Sequence, residues 1–144
     1  EIRDMVSSSG GLLIGVDLIK DTNILNAAYN DSAGYTEKFN KNLLLRINRE
    51  LNADFDLQQF RHHAFYNEEE SRIEMHLVSL CDQQVTIEDR CFQFVKNQSI
   101  LTEYSHKYSI DSFQALAEKA GFEPVKIWTD DNQLFSVHYL RVSS

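Results

Sequence analysis

Between Leu51 and Arg61 the hydrophobic period of this chain changes from three or four residues to two, and that switch restricts the fold more than any other feature. Before it, Thr36, Phe39, Leu43, Ile47 and Leu51 recur at helical spacing, which predicts a long amphipathic helix opened by Asn30-Asp31-Ser32. Phe55 to Phe60 reads as one further helical turn. After it, Ile73, Met75 and Leu77 alternate with Arg72, Glu74 and His76, behind the turn run Asn67-Glu68-Glu69-Glu70-Ser71. Val85 to Ile87, Cys91 to Val95 and Leu101 to Tyr108 read as further strands. Consecutive strands so closely spaced predict an antiparallel meander.

The flanks have a different character. Ile2, Met5 and Val6 fall on one helical face, so Glu1 to Val6 reads as the tail of a helix, followed by a Ser/Gly turn. The unbroken apolar run Leu12 to Val16 predicts a strand buried on both faces of a parallel sheet. Lys20-Asp21-Thr22-Asn23 then caps a short helix through Ile24, Leu25 and Ala28, ending near Tyr29. At the other end Ser109 caps a helix carrying Phe113, Leu116, Ala117 and Ala120, which Gly121 stops. A strand over Val125 to Trp128, a turn at 129–132 and a last strand from Leu134 to Val142 follow. The expected fold class is α/β. Residues 1–21 and 109–144 contribute to a doubly wound core, and residues 22–108 form an inserted antiparallel region with helices. In open α/β sheets ligands bind beyond the carboxyl ends of strands, and the insertion leaves from such an end, at Asp17. With Glu1 rather than Met in front, the chain is expected to begin partway through a fold.

Composition excludes several function classes. A net charge of −8 gives no basic face for phosphates, so nucleic acid is not an expected partner. Lys and Arg are scattered singly, which argues equally against an anionic membrane surface. No apolar run approaches the roughly 18 residues of a membrane span, and no signal peptide opens the chain, so a cytoplasmic location is expected. Cys81 and Cys91, the two cysteines, are expected to be reduced and buried. The five histidines lack metal-ligand spacing, and no metal is expected.

The strand from Leu101 to Tyr108 carries the most pointed chemistry. Alternation puts Glu103, Ser105 and Lys107 on one face, with Thr102, Tyr104, His106 and Tyr108 on the other. A carboxylate beside a hydroxyl can hold both nitrogens of an imidazole. An ordinary half-buried strand explains the same letters.

An ordered series of motifs points toward one family. They comprise Gly11 to Asp21, Ala28-Tyr29-Asn30-Asp31 through Asn42, Asn48-Arg49-Glu50-Leu51, Ala53 to Asp56, Arg72-Ile73-Glu74-Met75, Leu101-Thr102-Glu103 and Trp128-Thr129-Asp130. This series resembles the histidine-specific, S-adenosylmethionine-dependent methyltransferases of ergothioneine biosynthesis, over their C-terminal half. The resemblance implies that the parent enzyme trimethylates the α-nitrogen of L-histidine. It further implies that Glu103 and Ser105 bind the imidazole and that Tyr29 meets the α-amino and carboxylate end. Thr36, Phe39 and Met75 fall on positions lining the same pocket. S-adenosylmethionine would be bound mainly by the other half, whose glycine-rich turn this sequence lacks; Gly10-Gly11 is only a turn.

Each residue also has a plainer reading. Glu103 can be a solvated strand acid, Met75 and Phe39 core, and Thr36 a hydroxyl bonded to its own backbone. Tyr29 can be a rim tyrosine, while Asp17 and Asp31 are best read as helix caps. In the family chemistry the donor's sulfonium supplies an activated methyl group, and in-line placement contributes roughly 7–11 kcal/mol. The attacking amine must be neutral, and Tyr29 can relay its proton outward. A quaternary ammonium product suits aromatic faces. The isolated chain is expected to be catalytically silent, and the edge of the Leu12–Val16 strand to favour dimers or edge pairing. The alternatives are a non-catalytic module gripping a small zwitterion or a protein, and the same fold acting on another amino acid.

Overall fold

The computed structural model describes residues 2–7 and 9–143; Glu1 and Ser8, assigned from sequence to the first helix and the turn after it, lie outside the described residues. The elements run α1 (Ile2–Met5), β1 (Gly11–Asp17), α2 (Thr22–Tyr29), α3 (Tyr35–Glu50), a 3-10 turn (Leu57–Gln59), β2 (Phe60–Asn67), β3 (Arg72–Ser79), β4 (Gln83–Ile87), β5 (Arg90–Phe94), β6 (Ser99–His106), α4 (Ile110–Lys119), β7 (Phe122–Thr129) and β8 (Phe135–Val142). They fall into two compact units, Glu1–Lys20 with His106–Ser144, and Asp21–Ser105.

The first unit is a three-stranded antiparallel sheet in the order β1-β8-β7, with α4 packed beside it. Ser109 begins α4 with a reciprocal capping box to Ser112, and Gly121 ends it at a φ of 81°, a left-handed conformation that glycine adopts without steric cost. Val16, Phe113, Ala117, Phe122 and Leu140 form its core. The continuous apolar run of β1 predicts burial on both faces of a parallel sheet, and here the structure differs. Strand β1 is an edge, antiparallel to β8, and Leu13 is 66% exposed. Its Leu12 and Ile14 face the core while the intervening residues face out. Gly11 and Gly15 lie beneath the rings of Tyr139 and Phe135, each only 2.7 Å from where a Cβ would stand.

The second unit sets α2 and α3 against one face of a sheet in the order β2-β3-β6. Two buried clusters result: Leu44, Phe55, Phe60, Leu77 and Val85 in one, Leu25, Ala64, Ile73 and Met75 in the other. Burying one such side chain fully is worth about 1.5–3 kcal/mol. The other face carries His63, Phe65 and His76 as a run of neighbouring rings, and the Arg72 guanidinium 3.8 Å above the Tyr104 ring.

The strands after β3 are not a simple meander. Strand β3 has β2 and β6 as its neighbours, whereas β4 and β5 form a separate two-stranded sheet whose β4 also bridges Ala53. Packing explains the detour: Phe94 of β5 stands edge-on to Phe60 and tilted to Phe55, and the Asp54 carboxylate accepts the Thr86 amide. The chain then turns at Asn97, in the left-handed region, and returns as β6. The thiols also differ from expectation: Cys91 is exposed, and half-buried Cys81 donates to the Gln59 side-chain oxygen.

Candidate active site

Helix α2 begins at Asp21, whose carboxylate accepts the amides of Asn23 and Ile24, and its last residue is Tyr29. Helix α3 starts later than the Asn30-Asp31-Ser32 signal predicts. Gly34, at a φ of 70°, precedes its first residue, and Asp31 reaches forward to accept the Tyr35 and Thr36 amides at 2.8 and 2.9 Å. The Thr36 hydroxyl and amide, together with the Tyr35 amide, hold the Asp31 carboxyl down at about 2. Asp31 is thus a cap. Asp17 is not: it pairs with Lys107 at 2.8 Å and with Lys20. Burial pushes its carboxyl up, but the two lysines outweigh this and leave it below the usual range. The Glu103 face of the strand loses Lys107, because β6 ends at His106 and Lys107 belongs to the other unit.

A hollow of about 350 Å³ lies in the second unit, lined by Ala28, Tyr29, Tyr35, Thr36, Phe39, Met75 and Glu103. Its size falls at the lower end of small-molecule pockets, about 300–1,000 Å³. The structure therefore brings Tyr29 and Thr36 together with Phe39, Met75 and Glu103. Ser105 joins them through a 2.8 Å hydrogen bond to the Tyr29 hydroxyl across 76 positions of sequence. Met75 is buried at the base, between the hollow and the cluster of Leu25, Ala64 and Ile73. Phe39 is not core: it is 65% exposed, and the buried row of α3 is Asn40 and Leu44. The Thr36–Phe39–Leu43 row instead borders open space, since Phe39, Leu43 and Glu103 also edge a second hollow of about 170 Å³ with Asn40, Asn42, Arg46 and Thr102. Among the described residues none is hydrogen-bonded or ion-paired to the Glu103 carboxylate, which stands exposed at the junction of the two hollows. The neighbouring Thr102 hydroxyl is occupied, donating to the Met75 carbonyl.

Sequence reasoning missed the polar support beneath the hollow. Asn40 is 3% exposed. Its Nδ2 donates to His62 Nδ1 at 3.0 Å and to the His76 carbonyl at 3.1 Å, while His62 Nε2 lies 2.8 Å from the Tyr29 carbonyl. Asn30 Nδ2 donates to the Ala64 carbonyl, and its Oδ1 accepts the Ala64 amide. The available signal was an asparagine four residues before Leu44, on the face that α3 buries.

What this arrangement can do is bind a small polar molecule with an apolar flank. The hollow's lining combines the Glu103 carboxylate and the Tyr29 hydroxyl, bonded to Ser105, with the apolar Met75 and Phe39. Residues 1–142 match the family model described as histidine-specific methyltransferase, SAM-dependent. The chain is 41% identical over 131 residues to the histidine N-alpha-methyltransferase of Mycolicibacterium smegmatis, covering 90% of this chain and 41% of that protein. It is 42% identical over 122 residues to the enzyme of the same name from Mycobacterium tuberculosis, with 83% and 38% covered. To ergothioneine biosynthesis protein 1 of Schizosaccharomyces pombe it is 30% identical over 115 residues, with 79% and 15% covered. The chain spans about two fifths of the length of the first two relatives. On the strength of a match running nearly end to end, the chain belongs to the histidine-specific, S-adenosylmethionine-dependent methyltransferase family.

Proposed function

We propose that this chain supplies the amino-acid side of an active site that transfers methyl groups from S-adenosylmethionine to the α-amino group of L-histidine, three times in succession, on the route to ergothioneine. The observation that carries this reading is the hollow itself. Tyr29, Thr36, Phe39, Met75 and Glu103 come from two helices and two strands and line one cavity, and Ser105 is bonded to one of them.

In this reading Glu103 accepts an imidazole N–H and Ser105 serves the other ring nitrogen, trading its bond with Tyr29 for one with substrate. A pocket built on a carboxylate discriminates strongly, because an apolar side chain entering it leaves that charge without its partner. Tyr29 meets the α-amino and carboxylate end and takes the proton the amine sheds before each transfer. Phe39 and Tyr35 present ring surface toward the increasingly methylated nitrogen, for which hydrogen-bond acceptors lose their value.

The donor is assigned in this reading to residues outside this chain. Among the described residues no strand passes through a glycine-rich turn into a helix: Gly10 and Gly11 lead into β1, Gly34 precedes α3 after a turn, and Gly121 follows α4. The same reading makes the three-stranded unit the closing part of a doubly wound sheet and residues 22–108 the inserted substrate region, and this chain alone is silent.

The test is mass spectrometry of the full-length protein with S-adenosylmethionine and all common amino acids. Trimethylated histidine alone is the expected product. In the same assay Glu103→Gln raises the KM for histidine by about 10–100-fold, the cost of losing a charge-assisted hydrogen bond. Another methylated amino acid would replace histidine as the substrate, and no methylated product would make this a binding module.

A further inference from the structure

Strand β2 stitches the end of α2 in place with alternate residues. The Tyr66 amide donates to Asn26 Oδ1, Ala64 exchanges two hydrogen bonds with the Asn30 amide group, and His62 Nε2 meets the Tyr29 carbonyl. Residues 62, 64 and 66 share the strand face turned to the helices, so the three contacts run in step along one edge of the helix terminus. The last of them takes up a carbonyl that α2 itself leaves without an intrahelical donor.

The chemistry of that last contact is fixed from behind. A side-chain amide nitrogen only donates, and Asn40 Nδ2 uses its two hydrogens on the His76 carbonyl and on His62 Nδ1. Turning the amide round would set its oxygen against the His76 carbonyl, two acceptors face to face. His62 Nδ1 is therefore an acceptor without a proton, and Nε2 carries the hydrogen that goes to Tyr29. Asn40 also sits on α3, one residue after Phe39, so the relay Asn40–His62–Tyr29 runs from α3 through β2 to the end of α2.

We propose that His62, held as its Nε2–H tautomer by Asn40, is a positioning residue that sets Tyr29 at the mouth of the histidine pocket. It fixes the Tyr29 backbone, and with it the direction of the hydroxyl that reaches Ser105. The kinetic consequence rests on the functional reading above; the tautomer does not.

Two measurements decide it. Nitrogen-15 NMR of the full-length protein should show His62 protonated at Nε2 and bare at Nδ1, with Asn40→Asp, whose carboxylate attracts an Nδ1 proton while the Tyr29 carbonyl keeps the one on Nε2, protonating both nitrogens. Wild type carrying the proton on Nδ1 overturns the proposal. In the full-length protein, His62→Phe should lower kcat/KM for histidine by about three- to tenfold, the worth of one neutral hydrogen bond. His62→Gln, which keeps a donor, should recover most of that loss. Combined with Tyr29→Phe, His62→Phe should cost less than the product of the two single effects, because both act through one side chain. Fully multiplicative effects, or a folded His62→Phe protein with unchanged kinetics, overturn the proposal. A wild-type protein that methylates no histidine overturns the functional reading instead, and the tautomer then decides the geometry alone.

Discussion

At the scale of single residues, this protein uses short polar side chains to aim longer ones. Asp31 is the clearest case that can be titrated. Its folded value of about 2 lies below the ordinary 3.8 because the Thr36 hydroxyl and the amides at the head of α3 favour the charged form. A depressed carboxyl contributes stability that is fully present above its unfolded value and lost as pH falls through the folded one. Amide exchange at Tyr35 and Thr36 should therefore accelerate as pH drops from 4 toward 2, after correction for intrinsic rates. Asp31→Asn should flatten that dependence; an unchanged profile would mean the cap contributes nothing. Asn30, by contrast, spends its whole amide on Ala64 and Asn26, so it serves the joint between α2 and β2.

Elements are held by aromatic contacts as much as by strand pairing. Phe60 is fully buried, touches Phe55 and Phe94 edge-on, and stands where the 3-10 turn enters β2. Phe60→Ala should cost about 3–5 kcal/mol of stability in urea titration, the range for removing a buried ring. The β4–β5 hairpin should lose amide protection first, since its Phe94 contact disappears with the ring. A loss below 1 kcal/mol would show that the hairpin is anchored by the Asp54–Thr86 bond instead. The apolar spacing of α3 was legible from sequence, yet its orientation was not. Phe39 and Leu43 satisfy the helical period as well as Asn40 and Leu44 do, and periodicity identifies a stripe without saying which of two adjacent stripes meets the sheet.

For the molecule as a whole, charge sets the permitted company. At −8, and with Arg46, Arg72 and Lys41 each paired to an acid (Glu50, Glu74 and Glu37), the chain is poorly suited to a polyanion. Duplex DNA at physiological salt should leave the fluorescence of the single tryptophan, Trp128, unchanged. Saturable quenching that weakens with added salt would contradict this.

Local signals in the chain were enough for most elements, their order and the family, while strand β2 over Phe60–Asn67 and the later start of α3 were not read from them. Caps, turn residues and hydrophobic period are local signals, and an ordered series of motifs survives without any knowledge of contacts. Tertiary structure alone decided which strands pair, which row of α3 is buried, and that Tyr29 meets Ser105 while His62 holds Tyr29 from below. The physical reason is that these are choices among partners far apart in the chain. Such partners are selected by packing volume and by the requirement that every buried donor find an acceptor, and neither constraint is written in any short stretch of letters.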